Sequence, residues 1–438
     1  MFFKKGFYGG VHPPTKKEKT QALSISEGFL PKKVVIPLLQ HTGGICEPLV
    51  KAGDSVFVGT KIGTNSQFIS SPVHSSVSGK VMQIEEMPHP VIGRCPAVII
   101  ESDDKDAKDI SMGITREPHN LEKDAMLKII QEAGIVGLGG AMFPTHIKLM
   151  PPDGKSIDTV ILNGVECEPY ITCDHALMRQ KSKEIIEALR IIMKILEVKK
   201  AFIAIEKNKP DVIEIMKKNL TGIGSISVIA LKVKYPQGAE KQLIKAALNR
   251  EVPSGKLPFD VGVVVHNVQT AFSIYEALFA SKPLYERVVT ISGGAVKKPC
   301  NIKLRIGTLL KDVLEFLGGT QGNLARVIFG GPMMGVAQYS LEVPIIKGTS
   351  SVLFLTDEEV FTGDSGPCIR CGKCIEVCPV KIMPAQLGLA VESTRYDIAA
   401  DFSPLDCIEC GACDYVCPTK RPLLHFIKLA KIKARIVA

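Results

Sequence analysis

Cys368-Ile-Arg-Cys371-Gly-Lys-Cys374-Ile-Glu-Val-Cys378-Pro379 and Cys407-Ile-Glu-Cys410-Gly-Ala-Cys413-Asp-Tyr-Val-Cys417-Pro418 are two copies of one C-x2-C-x2-C-x3-C-P run. This spacing is that of a bacterial two-cluster ferredoxin, in which the fourth cysteine of each run ligates the other cluster. It predicts one 4Fe–4S cluster on Cys368, Cys371, Cys374 and Cys417, and a second on Cys407, Cys410, Cys413 and Cys378. Thiolates two residues apart wrap a turn around one corner of a cubane, and Gly372 and Gly411 let backbone come close to it. The proline after each fourth cysteine stops a regular helix. Zinc ribbons instead pair two C-x2-4-C knuckles. A disulfide framework needs an oxidising compartment, and Met1-Phe-Phe-Lys-Lys-Gly6 has no apolar segment behind its lysines, so no secretory signal is expected. Residues 360–438 are therefore expected to form a helical domain that carries both clusters and moves electrons.

A chain of 438 residues implies about three or four domains. No apolar run approaches the roughly 20 residues of a membrane-spanning helix. The formal net charge is +9, with a basic tail at Lys428, Lys431, Lys433 and Arg435. No groove-reading module or aromatic–basic interleaving accompanies that charge, so nucleic acid is not an expected partner. An anionic membrane leaflet or an acidic protein donor suits it better. Cys46, Cys95, Cys167, Cys173 and Cys300 have no cluster spacing and read as buried or incidental thiols. His41, His74, His146 and His175 are scattered and read as structural.

Residues 1–24 are rich in Gly, Pro and Lys and are expected to form an extended N-terminal arm. Over 25–110 the pattern is short β-runs punctuated by Gly, Pro and Asp. Here Pro48–Gly59 and Ser71–Val81 resemble the hammerhead repeat of biotinyl and lipoyl domains, a barrel-sandwich hybrid. The hairpin that bears the modified lysine in those domains reads Gly63-Thr-Asn-Ser-Gln-Phe68 here, without a lysine, so the unit is expected to be structural. From 115 to 285 helices and strands alternate: Leu121, Ala125, Ile129 and Ala133 share a helical face, Thr159–Leu162, Ala201–Ile205 and Ser225–Leu231 read as strands, and Ser182–Leu196 and Asp211–Leu220 as helices. This is an α/β layer with a mainly parallel sheet. Over 286–358, a strand at Val288–Gly294, a helix within Leu304–Leu317 and a strand at Val327–Gly331 suggest a β-grasp (SLBB-like) domain.

Two segments of the α/β layer carry chemistry. Gly137-Leu-Gly139-Gly140-Ala-Met-Phe143-Pro-Thr-His-Ile-Lys148 is a glycine-rich loop ahead of a helix, where unshielded N–H groups suit a phosphate and Lys148 adds a charge. Its spacing is neither the Rossmann fingerprint nor a P-loop. A strand then ends in Asn163-Gly-Val-Glu166-Cys-Glu168-Pro169, placing two carboxylates and an amide at the carboxyl edge of a sheet, where α/β folds bind ligands.

Together these segments resemble the flavin- and NADH-binding subunit of respiratory complex I and its hydrogenase relatives. Tyr235-Pro-Gln-Gly238-Ala-Glu240 and His266-Asn267-Val-Gln-Thr270 match two further motifs of that family. The N-terminal barrel-sandwich unit and the C-terminal double cluster, with Gly9-Gly-Val-His-Pro-Pro14, are similar instead to the RnfC family, the C subunits of Rnf complexes, which are ion-translocating ferredoxin:NAD oxidoreductases. That resemblance spans nearly the whole chain. It implies FMN and NAD(H) in the α/β domain beside the two 4Fe–4S clusters. Gly137, Gly139, Gly140 and Lys148 would hold phosphate groups, and Phe143 would stack on adenine. Asn163, Glu166, Gly238, Asn267 and Thr270 would line the flavin, with Glu168 and Glu240 hydrogen-bonding NAD(H). Val165, Ala239, His266 and Leu149 depart from the complex I pattern.

FMN converts two-electron hydride chemistry to one-electron cluster chemistry. The resemblance thus implies an NAD-linked oxidoreductase subunit, peripheral on the cytoplasmic face of the cell membrane. Its partners would be membrane-embedded subunits of the same complex and a ferredoxin-type donor, reached directly or through another subunit. The alternative is an electron-relay or docking subunit without its own nucleotide site.

Overall fold

The computed structural model describes the backbone of residues 6–437 and side chains as far as Lys433. Residues 1–5 of the expected arm and the Arg435 side chain lie outside the described residues.

Four parallel strands, Thr159–Gly164, Ala201–Glu206, Ile226–Leu231 and Val263–Asn267, form the sheet of the α/β domain. Successive side chains of a strand point to opposite faces. Accordingly Val160, Leu162, Ile203, Ile205 and Val264 join one core, packed by helices Lys123–Glu132, Ser182–Ile195 and Val268–Ala280. Ile161, Ala204, Val263 and Val265 join another beneath helix Glu240–Leu248. Burial on both faces explains why these strands read as unbroken apolar runs. Helices Cys173–Gln180, Glu240–Leu248 and Val268–Ala280 were not expected from the sequence. The last carries apolar residues around most of its circumference, so it offers little amphipathic contrast.

The spatial order of the strands is third, second, first, fourth. The order reverses between Thr159–Gly164 and Val263–Asn267, where Asn163 lies opposite Asn267. Connections leaving such a pair diverge, and a crevice opens at their carboxyl ends.

A six-stranded sheet follows, in the order Ile25–Glu27, Cys300–Arg305, Glu286–Ser292, Ser351–Leu355, Arg326–Phe329, Val336–Gln338. Two details differ from expectation. Residues 25–27, counted with the barrel-sandwich span, pair in parallel with Asn301–Lys303, a partner remote in sequence. Leu304 and Arg305 belong to a strand, and the helix begins only at Leu310. Gly307 breaks the run: its φ is +94°, and a Cβ there would lie 2.7 Å from Ile36 Cγ1.

The barrel-sandwich unit stacks a four-stranded sheet (Lys33–Pro37, Gly93–Ser102, Gly79–His89, Ser55–Val56) with a three-stranded one (Glu47–Pro48, Lys61–Thr64, Val73–His74). Val34, Ile36, Ile62, Val73, Val98 and Ile100 fill its core. It touches the α/β domain through Thr42, whose N–H donates to Met142 O (3.0 Å) and whose Oγ1 donates to Ala141 O (2.9 Å). Lys347 joins three units at once, its buried Nζ donating to Pro72 O (2.7 Å) and Gly134 O (2.6 Å). Burial, with no carboxylate nearby, pulls its pKa down to about 7. The C-terminal domain is helical, with helices Lys373–Glu376, Pro384–Glu392, Tyr396–Asp401, Ala412–Val416 and Leu423–Val437. Among the described residues no helix is long and apolar enough to cross a membrane.

Candidate nucleotide cavity and cluster domain

The crevice at the strand reversal deepens into a cavity of about 340 Å³, within the range of small-molecule sites. Gly137, Gly139, Phe143 and Lys148 line it from the glycine loop, and Asn163, Glu166 and Glu168 from the loop after the first strand. Gly238 and Glu240 contribute from the start of one helix, and Asn267 and Thr270 from the start of another. Gly140 alone of the expected residues does not line it. Its φ of +105° shapes the loop, and a Cβ there would point into open space.

The glycine loop is folded by its own backbone: Gly137 N donates to Phe143 O (2.9 Å) and Met142 N to Gly137 O (3.0 Å). Thr270 Oγ1 accepts from Leu138 N (2.9 Å), which ties the loop to the cap of helix Val268–Ala280. Asn267 caps that helix, its Oδ1 accepting from Gln269 N (2.8 Å). Its Nδ2 donates to Asp174 Oδ2 (2.6 Å). Asn163 Nδ2 donates to Gly238 O (2.8 Å), joining two motifs across the cavity floor. Lys148 Nζ lies 2.5 Å from Glu240 Oε1, so the expected phosphate ligand and one expected NAD(H) ligand are paired with each other.

Glu166 has the left-handed φ of +53°, an unusual conformation for a residue with a side chain. Two buried lysines hold its loop. Lys17 Nζ, from the arm, donates to Glu166 O (2.6 Å) and Ile171 O (2.7 Å). Lys209 Nζ donates to Val165 O (2.6 Å) and Glu206 Oε2 (3.0 Å). Glu166 Oε1 accepts from Asp174 N (2.7 Å), while Oε2 is buried without a hydrogen-bond partner. Burial raises this carboxyl to about 7; Lys17 opposes the rise and Asp174 adds to it. An orphaned, buried oxygen beside an open cavity fits a site shaped for a polar ligand.

Glu168, expected to meet NAD(H), lines the cavity and also anchors a turn. Its Oε2 accepts from Met333 N (3.1 Å) and its Oε1 from Met334 N (2.9 Å), anchoring the turn of the neighbouring sheet over the cavity. Burial raises its pKa to about 7 despite those two donors.

The sequence pattern missed Asp174, Cys173, Lys17 and Lys209, while Cys167 and Tyr235 stand inside its motifs without an expected role at the site. Cys173 and Asp174 open a helix just after the Asn163–Pro169 motif, and with Glu166 their donor atoms lie within 4.8 Å of one another. Their position after that strand was the one available signal. Lys17 and Lys209 carried none, since a buried lysine looks like a surface one until the fold is known. Cys167 Sγ accepts from Gly238 N (3.3 Å), and burial pushes its thiol up to about 12.

In the C-terminal domain the eight cysteines divide between two small cavities. Cys368, Cys371, Cys374 and Cys417 line one, and Cys378, Cys407, Cys410 and Cys413 the other. Each holds three thiols of one run and the fourth of the other, a donor set that fits a cubane. Tyr235 spans the gap to the nucleotide cavity: it lines that cavity, and its hydroxyl donates to Cys410 O (2.7 Å).

Comparison with known proteins accords with this layout. The Nuo51 FMN-binding domain family matches residues 130–276, the RnfC barrel sandwich hybrid domain 5–105, the SLBB domain 288–337 and the 4Fe-4S dicluster domain 367–421. The C subunit of the proton-translocating ferredoxin:NAD(+) oxidoreductase complex of Clostridium ljungdahlii is 48% identical over 98% of this chain and 94% of its own. Its Na(+)-translocating counterpart from Acetobacterium woodii is 46% identical over 97% and 96%. The solved NAD+-reducing [NiFe]-hydrogenase in its air-oxidized state shares the fold, with a TM-score of 0.51 at 18% identity over 66% of this chain and 55% of that one. The chain belongs to the RnfC family, the C subunits of ion-translocating ferredoxin:NAD oxidoreductase complexes.

Proposed function

We propose that this subunit exchanges hydride between NAD(H) and FMN in the α/β cavity and passes single electrons through its two 4Fe–4S clusters. The observation that carries this reading is the convergence of eleven motif residues on one cavity that Tyr235 links directly to a cysteine-lined one. Bound FMN would supply the conversion between two-electron and one-electron transfer. The glycine loop from Gly137, with Gly139, Gly140 and Lys148, would hold phosphate, and Phe143 would stack on adenine. Asn163, Glu166, Gly238, Asn267 and Thr270 would line the flavin. Glu240 would act through Lys148, fixing its ammonium at the cavity wall. Glu168 would hold the Met333–Met334 turn from its place on the cavity wall, where its remaining acceptor positions face NAD(H).

Tyr235 makes the Cys378, Cys407, Cys410 and Cys413 set the nearer cluster to the flavin. The Cys368, Cys371, Cys374 and Cys417 set is then the outer port, where Cys371 and Ile369 are exposed. A ferredoxin-type donor, or a subunit acting for it, would dock there. We place the chain peripherally on the cytoplasmic face of the cell membrane, beside membrane-embedded subunits of its complex. The test is direct: the chain is purified without oxygen, loaded with FMN and clusters, and mixed with NADH. Bleaching of flavin and then of cluster absorbance is expected. A chain that retains no flavin, or whose flavin ignores NADH, would leave the electron-relay alternative in its place.

A further inference from the structure

The N-terminal arm does more than extend. Between Phe7 and Val11 it crosses from the cluster domain to the wall of the nucleotide cavity. Gly10 N donates to Val377 O (2.7 Å), the residue just before the cluster ligand Cys378. One residue on, Val11 exchanges both backbone hydrogen bonds with Tyr235 (2.8 and 2.9 Å). Tyr235 in turn reaches Cys410 O. Val11, Tyr235, Cys410 and Ala412 form one small buried core. Lys234 Nζ donates to Phe7 O (3.0 Å) and stands over the Phe7 ring, while Lys381 stands over Tyr8. The crossing is made at backbone contact. Gly9 and Gly10 have φ of +67° and +80°. A Cβ on Gly9 would lie 2.6 Å from Val377 O, and one on Gly10 2.6 Å from Tyr235 O. Only glycine fits at either position. Beyond them the arm stays tied to the α/β domain through Lys17 and to the six-stranded sheet through Ile25–Glu27.

From this we infer that Gly9–Val11 is a strap that sets the spacing between the nucleotide cavity and the nearer cluster, and so the rate at which electrons pass between them. Its residues line neither cavity and act through Val377, Tyr235 and Cys410; they are positioning residues. The inference rests on the proposed function. Electron transfer between fixed centres falls off exponentially with their separation, so a strap that lets the two sites drift apart slows it.

The experiment compares the FMN- and cluster-loaded full chain with Gly10→Ala and with a variant lacking residues 1–10, which removes the Val377 hydrogen bond without adding a Cβ. Rapid mixing with NADH resolves flavin bleaching from cluster bleaching. Flavin bleaching at the parent rate and cluster bleaching slowed severalfold are expected. Two readouts independent of turnover accompany it. The dithionite-reduced electron paramagnetic resonance signal should keep its intensity, since all eight ligands remain. Hydrogen exchange should rise at Val377–Lys381 and around Tyr235. Unchanged cluster bleaching alongside raised exchange overturns the inference, because the strap would then be opened without consequence. Loss of cluster signal in both variants also overturns it, in favour of a role in folding alone. If the parent chain itself shows no NADH-driven flavin bleaching, it is the proposed function that fails, a result separate from any seen in the variants.

Discussion

The cluster domain and the nucleotide cavity are made in opposite ways. In the first, every expected ligand comes from two runs of eleven residues, and three of the four thiols of each set are neighbours within one run. In the second, the lining comes from several separate segments between Gly137 and Ser350, brought together by a strand order that no local pattern announces. The first site is built by short-range stereochemistry. The second depends on topology and on buried charges supplied from far away, Lys17 above all. The difference shows where each is vulnerable: the cluster domain at its ligands, the cavity at supports that never touch a cofactor.

This contrast is tested most severely through the cysteines. Cys378→Ala should abolish the same cluster signal as Cys407→Ala, and Cys417→Ala the same one as Cys368→Ala, each with loss of about four irons per chain. Iron analysis and electron paramagnetic resonance of the four variants read this. If Cys378→Ala instead resembled Cys368→Ala, the crossed ligation would be wrong.

Next in size is Lys17→Met. It leaves Glu166 O and Ile171 O without their donor and removes the cation that faces Glu166. Breaking a buried charge network in this way costs on the order of 3–5 kcal/mol. The expected result is a lowered melting temperature and loss of FMN with cluster iron retained, which separates the two regions.

A third test uses pH. The carboxyl of Glu168 ionises near 4.5 when unfolded, whereas in the fold it keeps its proton up to about 7. Between those values the native state binds the extra proton, so its contribution is fully present below about 4.5 and is lost as pH rises toward 7. The span corresponds to about 3 kcal/mol. Urea midpoints of the flavin-free chain should fall across that window, and Glu168→Gln should flatten the fall. An equal slope in the variant would assign the effect elsewhere, with Glu166 the first candidate.

The smallest effect is expected from Phe143→Ala. Loss of one aromatic–base stack is worth about 1–3 kcal/mol, so NADH affinity should weaken roughly tenfold while cluster content and FMN retention stay as they were. Unchanged affinity by titration calorimetry would remove Phe143 from the adenine site.

Much of the site was legible because its motifs sit at element ends, where sequence and backbone conformation are tightly coupled. Asn267 and Thr270 stand out through their family motif, and Gly137–Lys148 as a glycine-rich loop ahead of a helix. What stayed illegible was partner choice. Glu168 and Glu240, implied to meet NAD(H), both line the cavity, but only the fold shows that one also holds a turn and the other pairs with Lys148. A carboxylate's type and position in sequence do not reveal which donor comes nearest in space.

The cysteine runs alone announced the cluster chemistry and, through the two-cluster ferredoxin pattern, the crossed sets, and the two cavities group the eight thiols in the same way. The ordered motifs determined the family resemblance and the four folded units. Only the tertiary structure decided that the arm's Gly9–Val11 lies between Cys378 and the cavity wall, that Lys17 is buried under Glu166, and that residues 25–27 close the edge of a sheet begun far along the chain. Those contacts join segments whose separation in sequence carries no period or spacing. They arise because buried polar groups must find partners, and in a folded chain the partner is whichever group the packing brings within reach.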